Sequence, residues 1–160
     1  MQNMKRLLTT ILIFLYPLTA HAWVAKVVSI TDGDTIKVYN TDHGQVKIRF
    51  YGIDSPEKGQ PYGQAAGKYL ASLIAGAIVD IESIAEDPYG RTVGIVSDGE
   101  RNINQEMIKA GYAWVYQWYC NKPFCEYWLA LENEARSSKI GLWQEPNPIA
   151  PWEWEWRRKK

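Results

Sequence analysis

The chain has 160 residues, 18 of them basic and 18 acidic, with 46% hydrophobic residues and two cysteines. That length fits one domain around one core, since domains most often run to about 100–150 residues, and nothing in it calls for a second. A formal net charge of zero excludes a protein that grips polyanions through bulk charge alone, so any such affinity has to come from locally placed Lys and Arg.

Lys5 and Arg6, the apolar run LLTTILIFLYPL and then Ala20-His21-Ala22 form the three-part layout of an export signal, with cleavage expected after Ala22. The run is short for a membrane span, and Pro17 interrupts it. The expected product is residues 23–160, periplasmic or secreted, with no stable membrane association after cleavage. Loss of Lys5 and Arg6 leaves 16 basic against 18 acidic residues, two net negative charges. An oxidising compartment favours a Cys120–Cys125 disulfide; two free thiols and half of a zinc site are the other readings of the pair. His43 is the only histidine after residue 22.

WVAKVVSI, TIKVYN and QVKIRFYG read as three strands, rich in Val, Ile and aromatics and separated by the turn clusters TDGD and NTDHG. In the third, Val46, Ile48 and Phe50 alternate with Lys47, Arg49 and Tyr51, which puts Arg49 on the face opposite the apolar set. After the irregular DSPEKGQPYG, apolar residues from Ala65 to Ile74 recur at three- and four-residue spacing until Gly76, the pattern of a helix. AIVDIESI and RTVGIVS add two strands around the turn EDPYG. A second helix opens with Asn102 as N-cap, has Gln105 three residues on, and ends at Gly111. A third runs from about Pro123, with Phe124, Tyr127, Trp128, Leu131 and Ala135 on one side, to Gly141. The predicted class is α+β, mainly β: a five-stranded barrel with three helices. From about residue 146 a Trp-rich, basic tail follows, ending PWEWEWRRKK. Its alternating Trp152, Trp154 and Trp156 predict a strand packing its indoles on the domain, with a stacking platform for bases as the other reading.

Phosphodiester cleavage needs a cation to neutralise phosphate, a base to activate water, and positive donors aimed at the developing charge. Asp34 and Asp54 lie just outside opposite ends of a two-strand hairpin, where two hard carboxylate ligands could converge. Taken singly, DGDT is a turn, PE is loop material and YGR is ordinary. In the order DGDT, RFYGIDSPE, DPYGR they resemble the staphylococcal-nuclease family, whose site combines Asp-Gly-Asp-Thr, Arg-x4-Asp-Thr-Pro-Glu and Tyr-Gly-Arg elements. The resemblance covers the chain after residue 22, up to the GLW at 141–143.

The resemblance implies an oligonucleotide-binding (OB) barrel with three helices and a Ca2+-dependent endonuclease acting on DNA and RNA and leaving 3′-phosphate ends. It implies that Asp34, Asp54 and the main-chain carbonyl of Ser55 hold the metal, that Glu57 is the general base, and that Arg49 and Arg91 grip the phosphate. Tyr89 and Tyr119 fall where the family has phosphate- or nucleotide-contacting tyrosines; core or barrel-rim packing is the alternative for both. Three features depart from the family: the loop after Glu57 is shorter and lacks a lysine cluster, Pro88 replaces a lysine, and Gln117 replaces a tyrosine. A monomer is expected. The competing function is a non-catalytic OB-fold protein that binds nucleic acid without cutting it, and the presence of all five charged groups argues against that.

Overall fold

The computed structural model describes residues 22–160; the expected leader lies outside the described residues except for Ala22. Strands β1 (Ala22–Ile30), β2 (Thr35–Asn40) and β3 (Gly44–Phe50) form an antiparallel meander, as the sequence predicts. Strands β5 (Ile78–Glu86) and β6 (Thr92–Asp98) continue the sheet from β1, after a two-residue β4 (Ile53–Asp54) and helix α1 (Gly63–Ile74). The ring closes where β3 runs parallel to β6, with Ile48 opposite Thr92 and Arg49 opposite Val93. The result is the expected closed five-stranded, OB-like barrel. Register shifts at Val27/Ser29 in β1 and Ser83/Ala85 in β5 supply the local bends that closure requires.

Inside the ring, Val27, Ile36, Val38, Ile48, Phe50, Val79, Ile81 and Val96 are buried. Helix α1 seals one end with Ala66, Leu70 and Ile74, spaced as one helical stripe. After the two-residue β7 (Arg101–Asn102), α2 (Ile103–Lys109) begins as predicted: the Asn102 side chain accepts the Gln105 N–H at 3.0 Å. Two-residue β8 (Trp114–Val115) pairs with β4, placing Trp114 opposite Asp54. Neither short strand carried a sequence signal.

Helix α3 (Cys125–Ser137) buries Trp128, Leu131, Glu132 and Ala135, whereas Tyr127, expected on that side, is 54% exposed. The buried Glu132 carboxylate accepts the Val115 N–H and holds Arg136, whose guanidinium lies 4.4 Å from the Trp114 ring and 3.9 Å from the Trp143 ring. This fastens α3 to β8. Cys120 and Cys125 form a disulfide. Leu142 and Trp143 lie buried in a short 3-10 helix, Gly141–Gln144.

The tail corrects an expectation: Pro151–Arg158 is a helix, α4, rather than a strand. Proline is well placed in a first helical turn, and Glu153–Arg157 at 4.0 Å and Glu155–Lys159 at 3.8 Å are i,i+4 pairs of the kind that support a helix. Alternation of Trp with Glu is compatible with either periodicity over so few residues. Among the described residues no helix is long and apolar enough to cross a membrane.

Candidate active site

The β1–β2 turn is built to approach the rest of the molecule closely. The Asp34 N–H donates to Asp32 Oδ1 at 3.1 Å, and Thr31 N–H to the Thr35 carbonyl at 2.8 Å, an Asx-stabilised reversal. A Cβ on Gly33 would stand 2.7 Å from Ala66 Cβ and 2.8 Å from the Ser55 side chain, so only glycine lets α1 and the Ser55 segment pack against this turn. Asp34 is thereby held beside Ser55, whose N–H donates to Asp34 Oδ2 at 2.6 Å. The Ser55 hydroxyl donates to the Tyr112 carbonyl at 2.9 Å.

Arg49 lies next to the end of β3, directly across from Thr35. It spans both acids: Nη2 donates to Asp54 Oδ1 at 2.6 Å, and Nη1 lies 2.5 Å from Asp34 Oδ1. The second contact lacks hydrogen-bond direction, leaving Nη1 buried with donor capacity unspent. Burial works against the guanidinium charge, but Asp34, Asp54 and Asp32 outweigh it and hold Arg49 protonated more firmly than usual. The acids feel the converse crowding. Burial, then Asp34, pushes Asp54 up to about 7 against the pull of Arg49, and the same two causes push Asp32 up to about 7.

Glu57 sits on a loop fixed at both ends. Its N–H donates to Gln60 Oε1 at 3.1 Å, its carbonyl accepts the Gln60 N–H at 2.8 Å, and Gln60 Nε2 donates to the Ile149 carbonyl at 2.6 Å. A Cβ on Gly63 would stand 1.8 Å from the Glu57 carbonyl oxygen, so the start of α1 also presses on this loop. Burial, then Glu155 of α4 and then Asp34, raises the Glu57 carboxyl above its ordinary range, the direction a general base working near neutrality needs.

Asp87 organises the turn that delivers Arg91. Its carboxylate accepts the N–H groups of Tyr89 at 2.9 Å and Arg91 at 3.0 Å, and Arg91 Nε at 2.5 Å. Burial works to raise the Asp87 carboxyl, but these bonds and the Arg91 charge together outweigh it and hold the group below its usual range. With Nε so engaged, the Nη side of the guanidinium is the part that can meet a ligand.

Asp34, Arg49, Asp54, Ser55, Glu57 and Arg91 all line one cleft of about 50 Å³, together with Asp32, Thr35 and Pro56. The barrel explains the convergence. Arg91 directly precedes the stretch of β6 that pairs with β3 beside Arg49, while Asp34 and Asp54 flank the other side of the guanidinium. Tyr89 and Tyr119 do not line this cleft, and neither packs in the core. Tyr89 is 85% exposed, with the Arg91 guanidinium 5.6 Å from its ring, and Tyr119 is 65% exposed, with its ring 5.0 Å from that of Tyr116.

The donor set facing the cleft consists of oxygens from Asp32, Asp34, Thr35, Asp54, Ser55 and Glu57, with no imidazole or thiolate, which suits a hard cation such as Ca2+. Among the described residues no three His, Cys, Asp or Glu side chains form a ready-made metal cluster, so main-chain oxygens and water would complete the shell. The crowding that raises Asp32 and Asp54 is the kind that a divalent cation relieves. The residues present therefore fit calcium.

Sequence reading left three contributors unassigned. Asp32 was visible within DGDT but carried no role, Asp87 stands four residues before Arg91 as an ordinary turn residue, and Gln60 gives no linear signal at all. Their roles depend on the hydrogen bonds just described.

The family model described as Staphylococcal nuclease homologue matches residues 47–145. An uncharacterized endonuclease of Escherichia coli O157:H7 is 41% identical over 148 residues, covering 91% of this chain and 94% of the relative. An uncharacterized endonuclease of Haemophilus influenzae is 36% identical over 162 residues, covering 99% and 89%. A micrococcal nuclease of Shigella flexneri is 38% identical over 145 residues, covering 83% and 82%. On this evidence, and with the barrel that carries the site, the chain belongs to the staphylococcal-nuclease homologue family.

Proposed function

We propose that the chain is an exported, calcium-dependent nuclease that hydrolyses phosphodiester bonds in DNA and RNA. The observation that carries this reading is the convergence of two guanidinium groups and four carboxylates on one small cleft. Arg49 and Arg91 receive the non-bridging phosphate oxygens, a guanidinium fork being suited to a phosphate. Glu57 takes a proton from water, the water oxygen forms a bond to phosphorus, and the bond to the 5′ oxygen breaks. That oxygen leaves with a proton taken up from solvent water, and a 3′-phosphate end remains. Asp34, Asp54 and the Ser55 carbonyl would hold Ca2+, which when bound offsets phosphate charge and polarises the phosphoryl group.

Residues 23–160 act as the mature domain in this reading. The Cys120–Cys125 bond supports export, because such bonds persist in oxidising compartments. The reading is tested by incubating the protein with single-stranded DNA and RNA, in calcium and in chelator, beside Glu57→Ser and Arg91→Ala variants. Calcium-dependent cleavage lost in both variants is the expected result. A folded wild type that binds the strand but never cuts it, up to tens of millimolar calcium, sinks the reading in favour of a binding-only barrel.

A further inference from the structure

Helix α4 lies beyond the family-matched stretch, which ends at residue 145, yet it packs beside the candidate active site. Glu155 and Arg158 are both near enough to Glu57 to bias its charge, in opposite directions. The indole of Trp152 stacks on Tyr116 at 5.1 Å between centroids, with planes inclined by 17°, and meets Trp118 edge-on at 5.6 Å. Tyr116 also contacts Trp118 and Tyr119. This segment leaves directly from β8, whose Trp114 pairs with Asp54, and Tyr116 N–H donates to the Gly52 carbonyl at 2.9 Å. Tyr116 thus stands within electrostatic reach of Asp54 and Arg49.

Although joined to this cluster, Trp118 remains 71% exposed. An indole left so open contributes little to folding, while most of its surface is accessible to a planar ligand. Arg157, Arg158, Lys159 and Lys160 follow in sequence at the end of α4, all exposed. A nearly neutral chain has concentrated positive charge on the same helix that supplies the stacking indole.

We infer that Trp118 and Trp152, with the basic end of α4, form an accessory stacking subsite for bases of a single-stranded nucleic acid extending out of the cleft. This rests on the nuclease reading, and it goes beyond the Tyr119 position that the family resemblance covers. Aromatic stacking plus cationic contacts to phosphate is a sequence-tolerant way to hold a strand. It also supplies grip where the loop after Glu57 lacks a lysine cluster.

The test compares wild type with Trp118→Ala, Trp118→Phe and Trp152→Ala, and with Tyr39→Ala as an exposed aromatic elsewhere on the barrel. Affinity for oligothymidylates of two and eight nucleotides is measured by tryptophan quenching in chelator, and kcat/KM for both lengths in calcium. We expect the preference for the octamer over the dimer to fall about tenfold in each alanine variant, to be largely restored by Trp118→Phe, and to be unchanged in Tyr39→Ala. Unchanged length dependence in Trp118→Ala overturns the inference. So does loss of binding to vesicles rich in phosphatidylglycerol with octamer affinity intact, which would make the cluster a lipid contact. A wild type that binds with length dependence but cuts nothing removes the hydrolytic reading and leaves the platform standing; cutting without the length effect does the reverse.

Discussion

Replacing Arg49 by lysine tests the geometry of the cleft at its centre. The guanidinium donates to Asp54 from Nη2 at 2.6 Å and pairs with Asp34 from the buried Nη1 at 2.5 Å. Arg49→Lys keeps the charge but not the fork. One ammonium can satisfy one carboxylate or one phosphate oxygen along that line, so at least one charge-assisted hydrogen bond to the transition state is lost. Such bonds contribute about 1.5–3 kcal/mol, and removal of an oxyanion donor costs about 2.7–4 kcal/mol. A loss near 3 kcal/mol corresponds to on the order of a hundredfold in rate. The assay is kcat and KM on a single-stranded oligonucleotide at saturating calcium, with a urea melt to show that the variant is folded. We expect kcat to fall about a hundredfold with KM changed far less. A folded Arg49→Lys protein that keeps more than a third of wild-type kcat would refute the two-pronged role of Arg49.

The remaining predictions concern protons, positioning and the disulfide. Because burial and Asp34 push Asp54 up to about 7 from 3.8, its folded form retains a proton that the unfolded chain releases. Its stability contribution is therefore full below about pH 4 and lost as pH rises toward 7, with a slope of at most about 1.4 kcal/mol per pH unit; urea melts in chelator should show this, and Asp54→Asn should flatten it. Gln60→Ala strips the Glu57 N–H and the Ile149 carbonyl of their partner. It should destabilise by about 1–3 kcal/mol and lower kcat, whereas a wild-type kcat would show that Glu57 needs no such anchor. Reducing the Cys120–Cys125 bond, which joins residues five apart, should cost about 2 kcal/mol by loop-closure entropy, seen as a Tm several degrees lower. An unchanged Tm would place the stabilisation of that corner in packing alone.

Legibility in the sequence followed chain locality. The strands of the meander, the Asn102 cap and the Leu70–Ile74 stripe depend on neighbours a few residues away, so periodicity and turn chemistry were sufficient to find them. The motifs DGDT, RFYGIDSPE and DPYGR were legible for a related reason, since each carries its charged groups within a short turn or strand end. What no linear pattern contained was the parallel closure of β3 on β6, which brings the Arg91 turn beside Arg49 across about 40 intervening residues. Two-residue strands such as β4 and β8 are equally invisible, because their existence depends on each other.

The tail was misread because its information is relational. Trp-Glu alternation over five residues carries the same pattern whether the backbone is a strand or a helix, and what decided it was the Glu153–Arg157 and Glu155–Lys159 spacing together with a surface to dock on. That surface is Tyr116, a residue with no sequence signature of its own, and the stacking of Trp152 upon it fixes α4 beside Glu57. Of the four terminal charges that look like a solvated end in one dimension, Arg158 is thereby carried within electrostatic reach of Glu57. The departures from the family pattern and the α4 correction then bear on one problem. A domain without the lysine-rich loop still needs local positive charge to hold a polyanion, and α4 is where this chain concentrates it.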